Sequence, residues 1–254
     1  MNLALQWRLL VCAAQFLTRL PTPRQSDFES DWINRSARYF PMVGQLVGLL
    51  CAAIWLAAGR FWPGLPAAAL TVGAGVLITG GFHEDGLADS ADGLGGGSDK
   101  ARRLAIMKDS RIGTYGALAL ALVIVLRVVL LAGLAPWAGA LALVVAHGGA
   151  RACAVMVMAL MPYAGDPDAA KVRPSPQGVT WPESAFALAS GAWPLVWLGG
   201  PRAALAVSLA VAATVSMALL ARRLIGGVTG DVLGAVEQLA EVALLMGATA
   251  MAGA

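Results

Sequence analysis

The sequence predicts an all-α fold, a polytopic membrane helical bundle with about seven transmembrane helices. Hydrophobic residues make up 58% of the 254 residues and charged residues only 13%, which is more apolar surface than a soluble domain buries. The apolar residues are also grouped into runs that can cross a bilayer, for which about 20 helical residues suffice. We therefore interpret residues 1–254 as a single integral membrane domain.

The predicted spans follow one another along the chain with short polar breaks. They are Tyr39–Ala58, Pro66–Gly81, Tyr115–Leu134, Trp137–Leu160, Ser184–Leu198, Ala203–Leu220 and Val232–Ala252. The N-terminal apolar segment, Leu3–Leu20, is interrupted by polar residues that include Arg8 and Arg19. We interpret it as an amphipathic helix in the membrane interface, with an additional span as the alternative.

The basic residues predict the orientation of the bundle. With seven spans, only Arg60 and Arg202 fall on one side, and the other side holds Arg24, Arg35, Arg38, Lys100, Arg102, Arg103, Lys108, Arg111, Lys171, Arg173, Arg222 and Arg223. Cytoplasmic loops carry an excess of Lys and Arg, so the basic-rich side is predicted to face the cytoplasm. The net charge of +3 then reflects topology and attraction to anionic membrane lipid. No basic stripe interleaved with aromatic residues is present, so a nucleic acid partner is not expected.

Acidic residues are concentrated in the segment 82–112, on the predicted cytoplasmic side. They are Glu84, Asp85, Asp89, Asp92, Asp99 and Asp109. Asp85, Asp89 and Asp92 are spaced i, i+4 and i+7, which places three carboxylates along one stripe of a helix. Like charges so placed repel one another, and the cost grows near lipid. A divalent cation, Mg²⁺ or Mn²⁺, would offset the repulsion; a solvated acidic helix face is the alternative.

Basic and imidazole groups accompany these acids. Lys108 and Arg111 close the segment, and their side chains suit phosphate oxygens. Arg151 lies in the fourth predicted span near His147, where an ionisable residue is a functional candidate by its depth; an ion pair with a glutamate is its alternative. His83 flanks the acids as a ligand, a proton acceptor or a hydrogen-bonded interfacial histidine.

A second acidic segment begins the last predicted span. The residues from Gly226 to Asp231 resemble those from Gly80 to Asp85, because each pair of glycines follows an apolar run and precedes an aspartate. If the likeness is real, the two segments present acids to one site. Glu237 and Glu241 follow one helical turn apart. The carboxylates can hold a metal ion, and the Lys and Arg side chains can bind phosphate oxygens. Together they favour phosphoryl transfer on a diphosphate substrate.

Several motifs together resemble the cobalamin-5′-phosphate synthase family. They are GGFHEDGLADSADGLGGG at 80–97, RRLAIMKDSRIGTYG at 102–116, FLTRLPTP at 16–23, YFPMVGQLVG at 39–48, RACAVMVMALMPYA from Arg151 and GGVTGDVLGAVEQLAE from Gly226. The resemblance implies a Mg²⁺-dependent enzyme of the bacterial inner membrane. It implies that the enzyme joins adenosylcobinamide-GDP to alpha-ribazole or alpha-ribazole 5′-phosphate and releases GMP.

Carried over to these positions, the resemblance implies an acidic metal motif that a second segment completes. Its residues are Glu84, Asp85, Asp89 and Asp92, with Asp231 and Glu237 from the last span. Our mechanistic hypothesis has Lys108, Arg111 and Arg151 hold phosphate oxygens. His83, or a carboxylate such as Asp85 or Asp89, takes the proton of the attacking hydroxyl.

Two other functions are kept as alternatives. The pattern DGxxDxxDG from Asp85 to Gly93 is similar to the signature of CDP-alcohol phosphotransferases, which act on lipid head groups. That family continues with Ala-Arg after its first Asp-Gly, whereas Gly86 is followed here by Leu-Ala-Asp89. A divalent cation transporter would also need intramembrane acids, but Lys108 and Arg111 would repel a permeating cation. The sequence leaves a homo-oligomer open.

Overall fold

The computed structural model describes residues 3–25, 31–165 and 179–250. Within these residues the chain forms α-helices, two short 3₁₀ helices and one isolated bridge between Tyr163 and Val228. The α-helices are α1 (Leu3–Leu17), α2 (Trp32–Ser36), α3 (Phe40–Ala58), α4 (Leu65–Thr79), α5 (Phe82–Gly96), α6 (Lys100–Met107), α7 (Thr114–Ala132), α8 (Pro136–Leu160), α9 (Trp181–Ala192), α10 (Gly200–Ile225) and α11 (Gly230–Thr249). The predicted all-α fold is confirmed.

The helices include several that can cross a membrane. Five helical segments are long and apolar enough to span a bilayer: Trp32–Ala58, Thr114–Ala132, Pro136–Leu160, Gly200–Ile225 and Gly230–Thr249. The bent pair α4 and α5 raises the number to six if it is counted as one span. The chain is therefore a polytopic membrane bundle, as predicted.

The count of continuous spans in the described residues is lower than the seven expected. The predicted span Ser184–Leu198 is divided between α9, which ends at Ala192, and a 3₁₀ helix at Trp193–Leu198. Pro194 lies in this second piece, and a proline removes a backbone donor and cannot continue a regular α-helix. The N-terminal helix α1 has 15 residues, fewer than the roughly 20 that cross a bilayer upright.

A glycine pair turns the chain between α4 and the acidic helix α5. Gly80 and Gly81 have φ angles of 72° and 70°, in the left-handed region that glycine adopts without a Cβ penalty. The two helices are bent by 90° at this point. As a result α5 does not continue the direction of α4 but packs against α7 and α11.

The helix α5 crosses α11 at a contact between two glycines. A Cβ at Gly86 would lie 2.8 Å from the carbonyl oxygen of Asp231 and 3.2 Å from Cα of Gly234. Small residues let helices in membranes approach at backbone distance. The crossing brings the acidic helix and the start of the last span together. α11 also packs against α8 and α10, and α8 packs in turn against α3.

Candidate active site

The crossing of α5 and α11 gathers acids from both acidic segments. The carboxylates of Asp85, Asp231 and Asp92 all lie close enough to Asp89 to repel its charge, and Asp85 acts in the same way on Asp231. Asp85 is exposed, and Asp89 and Asp231 are partly buried. The structure therefore joins the two segments whose sequences are alike, and it leaves three of their carboxylates without a cationic partner among the described ion pairs.

Asp92, the third acid of the α5 stripe, is engaged by backbone amides. Its two carboxylate oxygens accept hydrogen bonds from the backbone N–H groups of Gly113, at 2.7 Å, and Gly116, at 2.9 Å. These are groups at the start of α7, where N–H donors have no partner within the helix. A Cβ on Gly116 would overlap this carboxylate. Asp92 thus fixes the start of α7 against α5.

Glu84 and Glu237 lie deeper and are paired with arginines. Nη1 of Arg127 lies 2.9 Å from Oε1 of Glu84, and Nη1 of Arg151 lies 2.7 Å from Oε1 of Glu237. All four side chains are buried. Buried charges of this kind are stable only when paired, so these two predicted metal ligands already have a partner. For Arg151 the sequence predicts phosphate binding, with an ion pair to a glutamate as the alternative. The structure has the ion pair, to Glu237.

The two ion pairs belong to one buried network. Arg127 also contacts Glu241, with 2.7 Å between Nη2 and Oε1, and Nδ1 of His147 lies 3.2 Å from the other oxygen of Glu241. Gln238 donates to Glu84 at 3.3 Å and to Glu237 at 3.0 Å. The network therefore connects α5, α7, α8 and α11 through side chains alone.

The network contains the densest group of metal-ligand types in the described residues. The ligand atoms of His147, Glu237 and Glu241 all lie within 4.8 Å of one another. Guanidinium groups already neutralise both carboxylates, so a cation would have to compete with Arg127 and Arg151. We therefore interpret this group as structural.

The sequence prediction missed Arg127 and Gln238. Arg127 lies within the apolar run Tyr115–Leu134, and a charged residue at such a position is a signal by itself, because it needs a partner to be stable in a membrane. Gln238 carried no comparable signal, since an uncharged amide next to Glu237 is unremarkable in sequence.

Lys108 and Arg111 lie in the exposed part of the acidic segment. Arg111 is 86% exposed and forms a two-point ion pair with Asp109, with 2.6 Å between Nη2 and Oδ2 and 3.0 Å between Nε and Oδ1. This guanidinium lowers the pKa of Asp109 to about 2. Lys108 is exposed at the end of α6. A phosphate bound by Arg111 would share it with Asp109.

His83 faces a cavity next to the acidic cluster. The imidazole is buried, with Nδ1 3.9 Å from Oε2 of Glu237. The cavity has a volume of about 230 Å³ and is lined in part by Phe16, Phe82 and Arg151. Gly234 also lines the cavity and meets Gly86 at the crossing, so the cavity reaches the crossing of α5 and α11.

Comparison with known proteins identifies the family. Residues 9–249 match the family model described as cobalamin-5-phosphate synthase. The chain belongs to this family. Every site residue described above lies within the matched range, and the chain is accordingly an enzyme.

Relatives of the cobalamin-5-phosphate synthase family match over nearly the whole chain. Adenosylcobinamide-GDP ribazoletransferase of Leptothrix cholodnii is 45% identical over 250 residues, covering 94% of each chain. The proteins of the same name from Shewanella frigidimarina and Ralstonia pickettii are 42% and 41% identical, covering 93% and 95% of this chain and 92% and 94% of their own. No solved structure matches.

Proposed function

We propose that this chain joins adenosylcobinamide-GDP to alpha-ribazole or alpha-ribazole 5′-phosphate and releases GMP. The observation that carries the proposal is the meeting of Asp85 and Asp89 with Asp231 at the crossing of α5 and α11. A cluster of carboxylates without cationic partners suits a reaction on a diphosphate, where positioning and charge neutralisation do most of the work. The names of the relatives supply the substrates.

We infer that Mg²⁺, or Mn²⁺ in its place, is held by Asp85, Asp89 and Asp231. The donor chemistry suits this ion, since hard divalent cations take carboxylate oxygens and keep room for phosphate oxygens and water. The other three acids of the predicted set, Glu84, Asp92 and Glu237, each have partners in the protein. When bound, the metal would neutralise charge on the diphosphate.

The protein's own residues would then position the reactants. A hydroxyl of the ribazole attacks the phosphorus joined to cobinamide, a new P–O bond forms, and the bond between that phosphorus and the oxygen of GMP breaks. The proton of the hydroxyl passes to His83 or to Asp89, a carboxylate of the cluster itself. Lys108 and Arg111, on the exposed side, would hold oxygens of the nucleotide phosphates.

We further propose that the protein lies in the bacterial inner membrane with this site facing the cytoplasm. Basic residues support this orientation, because Lys100 lies at the end of the bundle where α10 finishes with Arg222 and Arg223. A Cβ at Gly226, just after α10, would be 3.6 Å from Nζ of Lys100. Lys171 and Arg173, which also entered the charge count, lie outside the described residues.

The function can be tested with the full chain in lipid nanodiscs. The protein would be incubated with adenosylcobinamide-GDP, alpha-ribazole and Mg²⁺, and the products would be separated by liquid chromatography and identified by mass spectrometry. We expect GMP and a cobamide in equal amounts. Absence of GMP above a control containing EDTA would refute the proposed activity. Omission of alpha-ribazole separates transfer from simple hydrolysis of the diphosphate.

A further inference from the structure

An aromatic wall lines one side of the cavity beside the acidic cluster. Phe16 of α1 stacks on Phe40 of α3 with ring centroids 5.7 Å apart, and Phe82 of α5 meets Phe16 edge-on at 5.1 Å. All three rings line the cavity of about 230 Å³. Such a wall offers dispersion and edge-to-face contacts to a flat aromatic group.

Three ionisable residues also line the cavity. Arg151 and Glu237 line it, and both side chains are about 1% exposed. Nε of Arg151 has no hydrogen-bond partner within the described residues. Because Nε is itself inaccessible, we assign it no ligand contact, and the surface that the cavity offers to a ligand is mainly apolar. His83 completes the lining with a second ring nitrogen that can donate or accept.

The position, size and polarity of the cavity distinguish between the candidate ligands. Gly234 lines the cavity and stands at the crossing, where its Cβ would lie 3.2 Å from Cα of Gly86, and the lining residue Gly230 precedes Asp231, so the cavity adjoins the crossing of α5 and α11. A corrinoid ring is far larger than the cavity. Guanine carries donors and acceptors around its edge that a phenylalanine wall would leave unpaired, which is unfavourable. A benzimidazole has an apolar face and edge and a single free ring nitrogen.

We propose that this cavity binds the aromatic base of alpha-ribazole, with the ring against the three phenylalanines and its free nitrogen toward His83. This inference rests on the proposed function, because it assigns one of its two substrates to a subsite. It also makes the cavity the element that selects among bases, since its volume limits the substituents on the ring.

Ala154 allows the cavity to be filled without replacing a polar residue of its lining. It lies on α8, lines the cavity and is 8% exposed. We expect Ala154→Phe to weaken the binding of alpha-ribazole at least tenfold, measured by equilibrium dialysis on nanodisc protein without the corrinoid substrate. The KM for adenosylcobinamide-GDP should change less than twofold. The matched control is Leu160→Phe on the same helix, at a side chain that is 59% exposed, and it should bind as the wild type does.

A graded variant keeps the proposal testable if Ala154→Phe does not fold. Ala154→Val adds two methyl groups and should shift selectivity from the dimethylbenzimidazole nucleoside toward the unsubstituted benzimidazole nucleoside by about tenfold or more in kcat/KM, the usual effect of a methylene in an apolar pocket. Phe16→Leu should weaken both nucleosides alike. Unchanged selectivity in Ala154→Val would overturn the assignment.

The outcomes separate this inference from the proposed function. A wild-type protein that produces GMP and a cobamide, but whose Ala154 variants bind alpha-ribazole normally, refutes the subsite alone. A protein that produces no GMP, but whose binding of alpha-ribazole depends on Ala154, refutes the reaction and leaves the subsite in place. A phospholipid that remains in the cavity at saturating alpha-ribazole, detected by native mass spectrometry, would also overturn the subsite.

Discussion

At the residue scale, the acids of this protein differ by whether they have a partner. Glu84 and Glu237 face arginines at 2.9 and 2.7 Å, whereas Asp85 and Asp89 face other carboxylates. An acid with a partner stabilises the fold, and an acid surrounded by like charge is costly unless a ligand neutralises it. This contrast identifies the residues whose replacement should affect activity rather than stability.

Replacing Asp85 or Asp89 by asparagine should lower turnover by about 100-fold or more, because each removes a proposed metal ligand. The midpoint of thermal unfolding in detergent should stay the same or rise, since a repulsive charge is lost. Asp31→Asn is the matched control, because Asp31 is an exposed acid paired with Arg35 away from α5. Full activity in both variants would remove the metal assignment.

Asp92→Asn should affect stability more than the two variants above. The carboxylate accepts from two backbone N–H groups, and an amide offers only one oxygen and no charge. We expect a loss of about 1 to 2 kcal/mol, as for other side chains that cap a helix. Thermal unfolding would show it. If Asp92→Asn is as stable as the wild type but loses activity as strongly as Asp85→Asn, Asp92 is a ligand rather than a cap.

At the element scale, the site depends on how closely α5 approaches α11. The approach is set by Gly86 and Gly234, where backbones meet at van der Waals distance. Neither residue contributes chemistry. Their role is to let Asp85 and Asp231 share one cluster, and a side chain at the crossing would move them apart.

Gly86→Ala should therefore reduce activity at least tenfold, because its Cβ would lie 2.8 Å from the carbonyl oxygen of Asp231. Gly234→Ala should have a smaller effect, since its nearest atoms are 3.2 Å away. Gly73→Ala in α4 is the matched control: no atom lies within 4 Å of its Cβ, and an alanine favours a helix by about 1 kcal/mol. Activity would be compared at equal protein concentration. An equal loss of activity in all three variants would contradict the proposal that the close crossing of α5 and α11 positions the carboxylates.

The buried network of charged side chains also holds the helices together. Arg127 connects Glu84 on α5 with Glu241 on α11. Arg127→Met should destabilise the protein by about 3 to 5 kcal/mol, because it leaves buried carboxylates unpaired. The double variant Arg127→Met with Glu241→Gln should recover part of this loss, as a double-mutant cycle would measure. Arg60→Met, at an exposed arginine, should have little effect.

At the scale of the whole molecule, orientation follows from the distribution of charge. A cysteine introduced at Ser98, exposed in the acidic segment, should react with a membrane-impermeant maleimide only from the cytoplasmic side. A cysteine at Pro63, in the connection between α3 and α4, should react only from the other side. Background labelling should be low, because two of the native cysteines are buried and Cys153 is partly buried. Labelling of both sites from one side would contradict the proposed topology.

The sequence by itself determined the all-α membrane fold and the place of the acidic cluster. Both follow from local quantities: apolar content adds up residue by residue along a run, and the spacing of Asp85, Asp89 and Asp92 is set by the helical repeat. Even the meeting with Asp231 was anticipated, because the same glycine-pair pattern precedes both acids.

Only the tertiary structure decided what each acid does. Whether a carboxylate meets a guanidinium, a backbone amide or another carboxylate depends on residues that are distant in sequence. Arg127 of α7 meets Glu84 of α5, and Asp92 meets the start of α7. The break at Pro194 and the bend at Gly80 and Gly81 likewise changed the count of spans. These outcomes depend on how helices pack, which composition and periodicity do not specify.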